Sequence, residues 1–76
     1  MKIQFAYCIG GPMLEYEIVD ANTLRINGAE YFFNPGFVEF NPIASTVEGV
    51  IFAAFDIHRD ETGELCMTCY QGKEES

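Results

Sequence analysis

The dipeptide Asn27–Gly28, set between alternating residues in LRINGAEY (24–31), constrains the fold more than any other feature of the chain. Both central positions of a two-residue type I′ turn take positive φ, which Asn and Gly adopt most readily, and the turn's twist matches that of the strands it joins. It therefore predicts a tight β-hairpin in which residues equidistant from the turn face each other: Ile26 with Ala29, Arg25 with Glu30 and Leu24 with Tyr31. Arg25 and Glu30 then form an exposed ion pair that pins the register and contributes about 0.2–1 kcal/mol.

The same period of two runs through the rest of the chain. In KIQFAYCI (2–9) it places Ile3, Phe5, Tyr7 and Ile9 on one face, and in LEYEIV (14–19) it does the same for Leu14, Tyr16 and Ile18. A four-residue loop, Gly10 to Met13, is expected to join these two strands as a hairpin with Ile9 opposite Leu14, Tyr7 opposite Tyr16 and Phe5 opposite Ile18. A three-residue loop would set Tyr7 against Glu15. Asn34-Pro35-Gly36 reads as a turn with Gly36 supplying positive φ, FVEF (37–40) as a short strand and NPIAST (41–46) as a loop.

STVEGVIFAAFDIHRD (45–60) admits a helix, since Ser45 and Glu48 suit a capping box and Val47, Val50, Ile51, Ala54 and Phe55 fit helical spacing. A strand is preferred. Gly49 falls near the start, Phe52 and Ile57 would be left on the wrong face of a helix, and the segment runs directly into a turn with strand-like sequence beyond it.

In RDETGE (59–64) Asp60 can open a type I turn and Gly63 can take the left-handed position that completes a three-residue hairpin loop with a bulge. That loop pairs Ile57 with Met67 and Phe55 with Cys69 on an apolar face, and His58 with Cys66, Asp56 with Thr68 and Ala54 with Tyr70 on the other. Cys66 and Cys69 then point in opposite directions, roughly 10 Å apart at about 3.3 Å per residue. A zinc ion needs its thiolates about 2.3 Å away, so both cannot bind one ion, and Cys69 becomes a small core residue. His58, Cys66 and Asp56 are the types that would serve as base, nucleophile and orienting acid, and His58 with the thiols, Cys8 as a distant third, would make a Cys-Cys-His zinc site only if the strand geometry were wrong. Nothing in the sequence marks a pocket or an oxyanion hole for them, so the expectation is no enzyme, no catalytic residue, no cofactor and no metal.

At 76 residues there is room for one domain, 1–76, with 71–76 (QGKEES) read as a flexible acidic tail. A chain this short buries only about 60–65% of its unfolded surface, yet an apolar fraction of 49% with seven Phe and four Tyr supplies a core without staples. Three cysteines, and an N-terminus without a signal-peptide pattern, lead to the expectation of a reduced, cytoplasmic protein. No apolar run approaches the ~18 residues that would span a bilayer, so no membrane association is expected. The net charge of −8, from twelve acidic and four basic residues, disfavours direct nucleic-acid binding. Solubility is the plain role of that acidity, and an inhibitor that mimics DNA and blocks a basic host protein is the alternative. The expected fold is all-β and mainly antiparallel, six or seven short strands in hairpins forming a small barrel or sandwich; the alternative is an α+β fold with one helix at 46–58.

VDANTLRINGAEYFF, FVEF and GVIFAAFDIHRDETGELCMTCY, in that order, resemble small uncharacterised proteins encoded in prophages, often near tail genes, whose sequences run as a lysine-led strand, a TLRI-G-EY-F hairpin and an HRD-GEL hairpin. The likeness covers most of the chain, although the family's last strand continues with basic and aromatic residues where this chain ends in CYQGKEES. The resemblance implies a phage- or prophage-related accessory or interaction protein, cytoplasmic or associated with the virion, and transfers no functional residue. Phe32, opposite in face to Leu24 and Tyr31, and Phe52 are the candidate interaction residues, forming an apolar patch for a protein partner or a second copy of the chain.

Overall fold

Residues 1–36, 39–45, 47, 50 and 52–74 are described in the computed structural model. Among them are seven strands: β1 (Lys2–Ile9), β2 (Tyr16–Asp20), β3 (Thr23–Ile26), β4 (Ala29–Phe32), β5 (Ile43–Ala44), β6 (Phe52–Arg59) and β7 (Leu65–Lys73). They form two sheets, a four-stranded one in the order β1-β7-β6-β5 and a three-stranded one in the order β2-β3-β4. The fold is all-β and mostly antiparallel. Over 52–59, within the span where a helix was the alternative, the chain is extended; Thr46, Glu48, Gly49 and Ile51 lie outside the described residues.

The Asn27–Gly28 turn has φ of 48° and 85°, and β3 and β4 pair with Ile26 opposite Ala29, Arg25 opposite Glu30 and Leu24 opposite Tyr31, as the turn chemistry requires. Asp20 builds a second tight turn beside it, its carboxylate accepting from Asn22 N at 2.8 Å. This folds β2 onto the other edge of β3, with Tyr16 opposite Ile26 and Ile18 opposite Leu24. The side chain of Asn27 extends that ladder by accepting from Glu15 N at 2.8 Å.

The expected hairpin between residues 2–9 and 14–19 does not form. β1 runs parallel to β7, with Phe5 beside Cys69 and Ile9 beside Lys73. A turn at the end of β1, with Gly10 at φ 77° and Gly11 N donating to Cys8 O at 3.2 Å, redirects the chain. The following residues cross the end of β7 to reach the other sheet. Gln71 holds the crossing from both sides, accepting from Leu14 N and donating to Leu14 O, each at 2.8 Å. Gly72 makes it possible, because a Cβ there would stand 2.3 Å from Gly11 O and 2.4 Å from Pro12 O. The residues Gln71, Gly72 and Lys73, read from the sequence as the start of a tail, are thus the last three of β7.

Two further expectations are corrected, and a third lies partly outside the described residues. Gly36 does not adopt positive φ; the turn is held by Asn34, whose side-chain oxygen accepts from Gly36 N at 3.0 Å. Ile43 and Ala44, expected in a loop, pair with β6 as a two-residue strand. Of the expected strand at 37–40, Phe37 and Val38 fall outside the described residues, and Glu39 makes an isolated bridge with His58.

The β6–β7 hairpin has the predicted three-residue loop: Asp60 N donates to Glu64 O at 3.0 Å and Gly63 sits at φ 85°. His58 faces Cys66 as expected, but Phe55 faces Thr68 and Ala54 faces Cys69, one residue out of the predicted register. Asp56 causes the shift. At φ 53° it forms a β-bulge in which Asp56 and Ile57 oppose Met67 alone. On the N-terminal side of the bulge the strand phase is reversed relative to the expected register, so Ala54 rather than Phe55 is fully buried against Cys69.

Both sheets contribute to one core, Leu24 and Ile26 from the three-stranded side and Ala54, Ile57, Leu65 and Met67 from the other. Full burial of Leu24 and Leu65 stabilises the fold by about 1.5–3 kcal/mol each. Two side chains stitch the layers. The Tyr16 hydroxyl lies 2.9 Å from Ala53 O and also against Tyr70 O, and its burial pushes its pKa up. Arg59 reaches over from β6 to donate to Asn22 Oδ1 at 2.9 Å and to Phe33 O at 3.4 Å, while also capping Gly63 O at 3.0 Å.

Candidate functional site

On the outer face of the four-stranded sheet, the parallel pairing of β1 with β7 brings Lys2 and Gln4 beside Cys66 and Thr68, and the hairpin adds His58 and Asp56 from β6. These six side chains rim an open depression of about 350 Å³. The sequence placed His58 opposite Cys66; it could not place Lys2 and Gln4 there, because they arrive through the β1–β7 pairing.

The geometry separates the imidazole from the thiol. His58 Nδ1 lies 2.9 Å from the backbone oxygen of Asp56, so the Asp56 backbone, raised by the bulge, orients the ring. The Cys66 thiol points the other way, toward Glu64 O at 3.5 Å and Asp60 Oδ2 at 3.9 Å. A thiol–imidazole couple needs a hydrogen bond between the two groups, and these are committed elsewhere. Cys69 sits on the opposite face of β7, fully buried, and that burial pushes its thiol up to about 12. Cys8 lies near the far end of β1, beside Gly72. Among the described residues no group of three or more His, Cys, Asp or Glu is placed to hold a metal ion.

Two carboxylates beside this depression, Asp60 and Glu64, are engaged. Asp60 Oδ1 accepts from the Thr62 hydroxyl at 2.6 Å, Thr62 N at 2.9 Å and Glu64 N at 3.0 Å. The Thr62 hydroxyl is the largest cause holding the Asp60 carboxyl well below the usual carboxylate range, with desolvation opposing it. Lys2 Nζ lies 3.3 Å from Asp60 and 3.8 Å from Glu64, and the Met1 amine 3.4 Å from Glu64. On the other sheet Arg25 sits between Glu17 at 2.7 Å and Glu30 at 3.6 Å.

The second candidate is β1 itself. As an edge of its sheet it has, among the described residues, one neighbour, β7, so half of its backbone donors and acceptors face outward. Its apolar face is progressively uncovered: Ile3 is half-buried, Phe5 is 39% exposed, Tyr7 63% and Ile9 69%. The Phe5 ring meets Tyr16 edge-on at 5.8 Å, which marks where the three-stranded sheet still covers β1; Tyr7 and Ile9 project beyond it. The sequence reading missed this surface because it placed these residues against β2. Phe32 and Phe52 are both exposed, at 68% and 47%, but Phe32 belongs to the three-stranded sheet and Phe52 to the four-stranded one, so they do not share a sheet face.

No helix among the described residues is long and apolar enough to cross a membrane. No family model, curated protein or solved structure matches the chain significantly.

Proposed function

We propose that the protein works through protein–protein contact, as an accessory or structural component of the phage or prophage kind its sequence resembles, and that the contact is made by β1. One observation carries the reading: β1 is a long, regular edge strand with an uncovered apolar face. The other edges differ. β5 has two residues and follows Pro42; β2 carries Glu17 and Asp20 and a register irregularity; β4 has four residues, with Glu30 among them. Short length, charge and irregularity are how edge strands avoid unwanted pairing, and between Ile3 and Ile9 β1 has none of these.

The separation of His58 from Cys66 speaks for contact rather than thiol chemistry. An acidic decoy needs its uncompensated carboxylates massed on one surface; among the described residues Asp60, Glu64, Glu17 and Glu30 are instead paired with cations of the same chain, which leaves the charge of −8 to the other acidic residues. The test is affinity capture from lysates of phage-producing host cells. A partner retained by the wild type and by His58→Ala, but released by Tyr7→Lys, is expected. A partner indifferent to Tyr7→Lys, or lost with His58→Ala, overturns the reading; Phe32→Ser and Phe52→Ser test the two aromatic residues named from the sequence in the same assay.

A further inference from the structure

Resting on β1 as the contact surface, we infer that its occupant is a second copy of this chain, added antiparallel so that two four-stranded sheets become one continuous eight-stranded sheet about a twofold axis. Three observations converge on a copy rather than a foreign strand.

The first is the gradient of exposure along the strand. Cover by the three-stranded sheet fails from Phe5 toward Ile9. Antiparallel pairing sets the uncovered half of one β1 beside the covered half of the other, so each copy completes what the other lacks. A twofold axis perpendicular to the sheet keeps inward residues opposite inward residues. Centred on Ala6, it places Phe5 opposite Tyr7 of the second copy, Ile3 opposite Ile9, and on the outer face Gln4 opposite Cys8. Aromatic and β-branched cross-strand pairs of this kind stabilise sheets.

The second is charge. The chain carries −8, and two such molecules repel wherever carboxylates meet. KIQFAYCI contains no carboxylate, and its single cation, Lys2, is committed to Asp60 and Glu64 of its own chain. The β1 edge is a place where two copies approach without opposing acidic groups.

The third is area. Taking about 200 Å² for a whole apolar side chain of this size, the exposures of Phe5, Tyr7 and Ile9 offer roughly 340 Å² per copy. Interfaces are about 57% apolar, so this corresponds to roughly 600 Å² per partner, about 1,200 Å² in all, where specific interfaces begin.

Sedimentation velocity of the full chain up to about 500 µM, with Tyr7→Lys and Gln4→Cys alongside, tests the inference. A concentration-dependent rise from monomer to dimer is expected for the wild type, and Tyr7→Lys is expected to weaken it on the order of thirtyfold with unchanged circular dichroism, since Tyr7 already projects into solvent. Under mild oxidation Gln4→Cys is expected to form intermolecular disulfides with the native Cys8, while the wild type does not. A wild type that stays monomeric throughout overturns the inference, as does a dimer untouched by Tyr7→Lys or a dimeric Gln4→Cys that fails to cross-link. A monomeric wild type that still retains a foreign protein in a Tyr7-dependent way overturns self-pairing while leaving β1 as the contact surface; a monomer that retains none overturns both.

Discussion

Replacing Gly72 by alanine tests the crossing that decides the topology. The added Cβ would stand 2.3 Å from Gly11 O, 2.4 Å from Pro12 O and 2.5 Å from Pro12 C, where ordinary contact begins at 3.4 Å. All three neighbours are backbone atoms, so no side-chain rotation relieves the overlap, and the crossing segment has to lift by about 1 Å. Overpacking of that kind costs about 1–3 kcal/mol. Lifting Pro12 also pulls on the two hydrogen bonds between Gln71 and Leu14, worth about 0.5–1.5 kcal/mol each. The combined loss is on the order of 2–6 kcal/mol, against a total stability of about 4–11 kcal/mol for a chain of this length. Since 1 kcal/mol shifts the midpoint by about 4–8 °C in so small a domain, thermal denaturation followed by circular dichroism should show Gly72→Ala lowered by at least about 10 °C. Gly10→Ala is the control: it sits at φ 77° with open space around it, so it should lose only the left-handed strain of about 1–2 kcal/mol. A Gly72→Ala protein melting within about 3 °C of the wild type, or a Gly10→Ala protein melting lower still, would refute the close approach and with it the account of why β1 leaves β2.

Asp60→Asn should lower the melting temperature at pH 7, and the difference should close in acid. The folded carboxyl is held below its ordinary value, first by the Thr62 hydroxyl, so its contribution is present above the ordinary value near ~4 and is lost as pH falls through the folded value; melting curves from pH 7 downward check the sign. Arg59→Lys removes the fork that reaches Asn22, Phe33 and Gly63 at once and is expected to cost about 1–3 kcal/mol, measured as a lower urea midpoint. In the native protein iodoacetamide should modify the exposed Cys8 and leave Cys69, buried and pushed up to about 12, unmodified until denaturant is added; counting adducts by mass spectrometry distinguishes the two.

Little of the candidate contact surface was legible in the sequence. The alternation in KIQFAYCI was read correctly as an apolar face, but alternation states which residues share a side and not what covers them. Phe5, Tyr7 and Ile9 would be buried beneath a hairpin partner and are uncovered at an edge. His58 and Cys66 were placed opposite each other by a loop whose length is a local property, and the structure keeps that pairing. The direction of the Cys66 thiol depends on Asp60 and Glu64, and the orientation of the His58 ring on the backbone of Asp56, so neither followed from the pairing alone.

What the sequence by itself determined is a set of features whose free energy is local: the strand period, the Asn27–Gly28 turn with its register, the Asp60–Gly63 loop, and the opposite faces of Cys66 and Cys69. Each rests on the φ preferences of one or two residues or on the two-residue repeat of an extended chain, and so survives any arrangement of the remaining strands. Only the tertiary structure decided that β1 lies parallel to β7, that the register of β6 slips at Asp56, and that Gly72 yields room for the crossing. Those outcomes depend on contacts between residues more than 50 positions apart, or on which of two registers buries more in a particular core, and no short window of sequence contains that comparison.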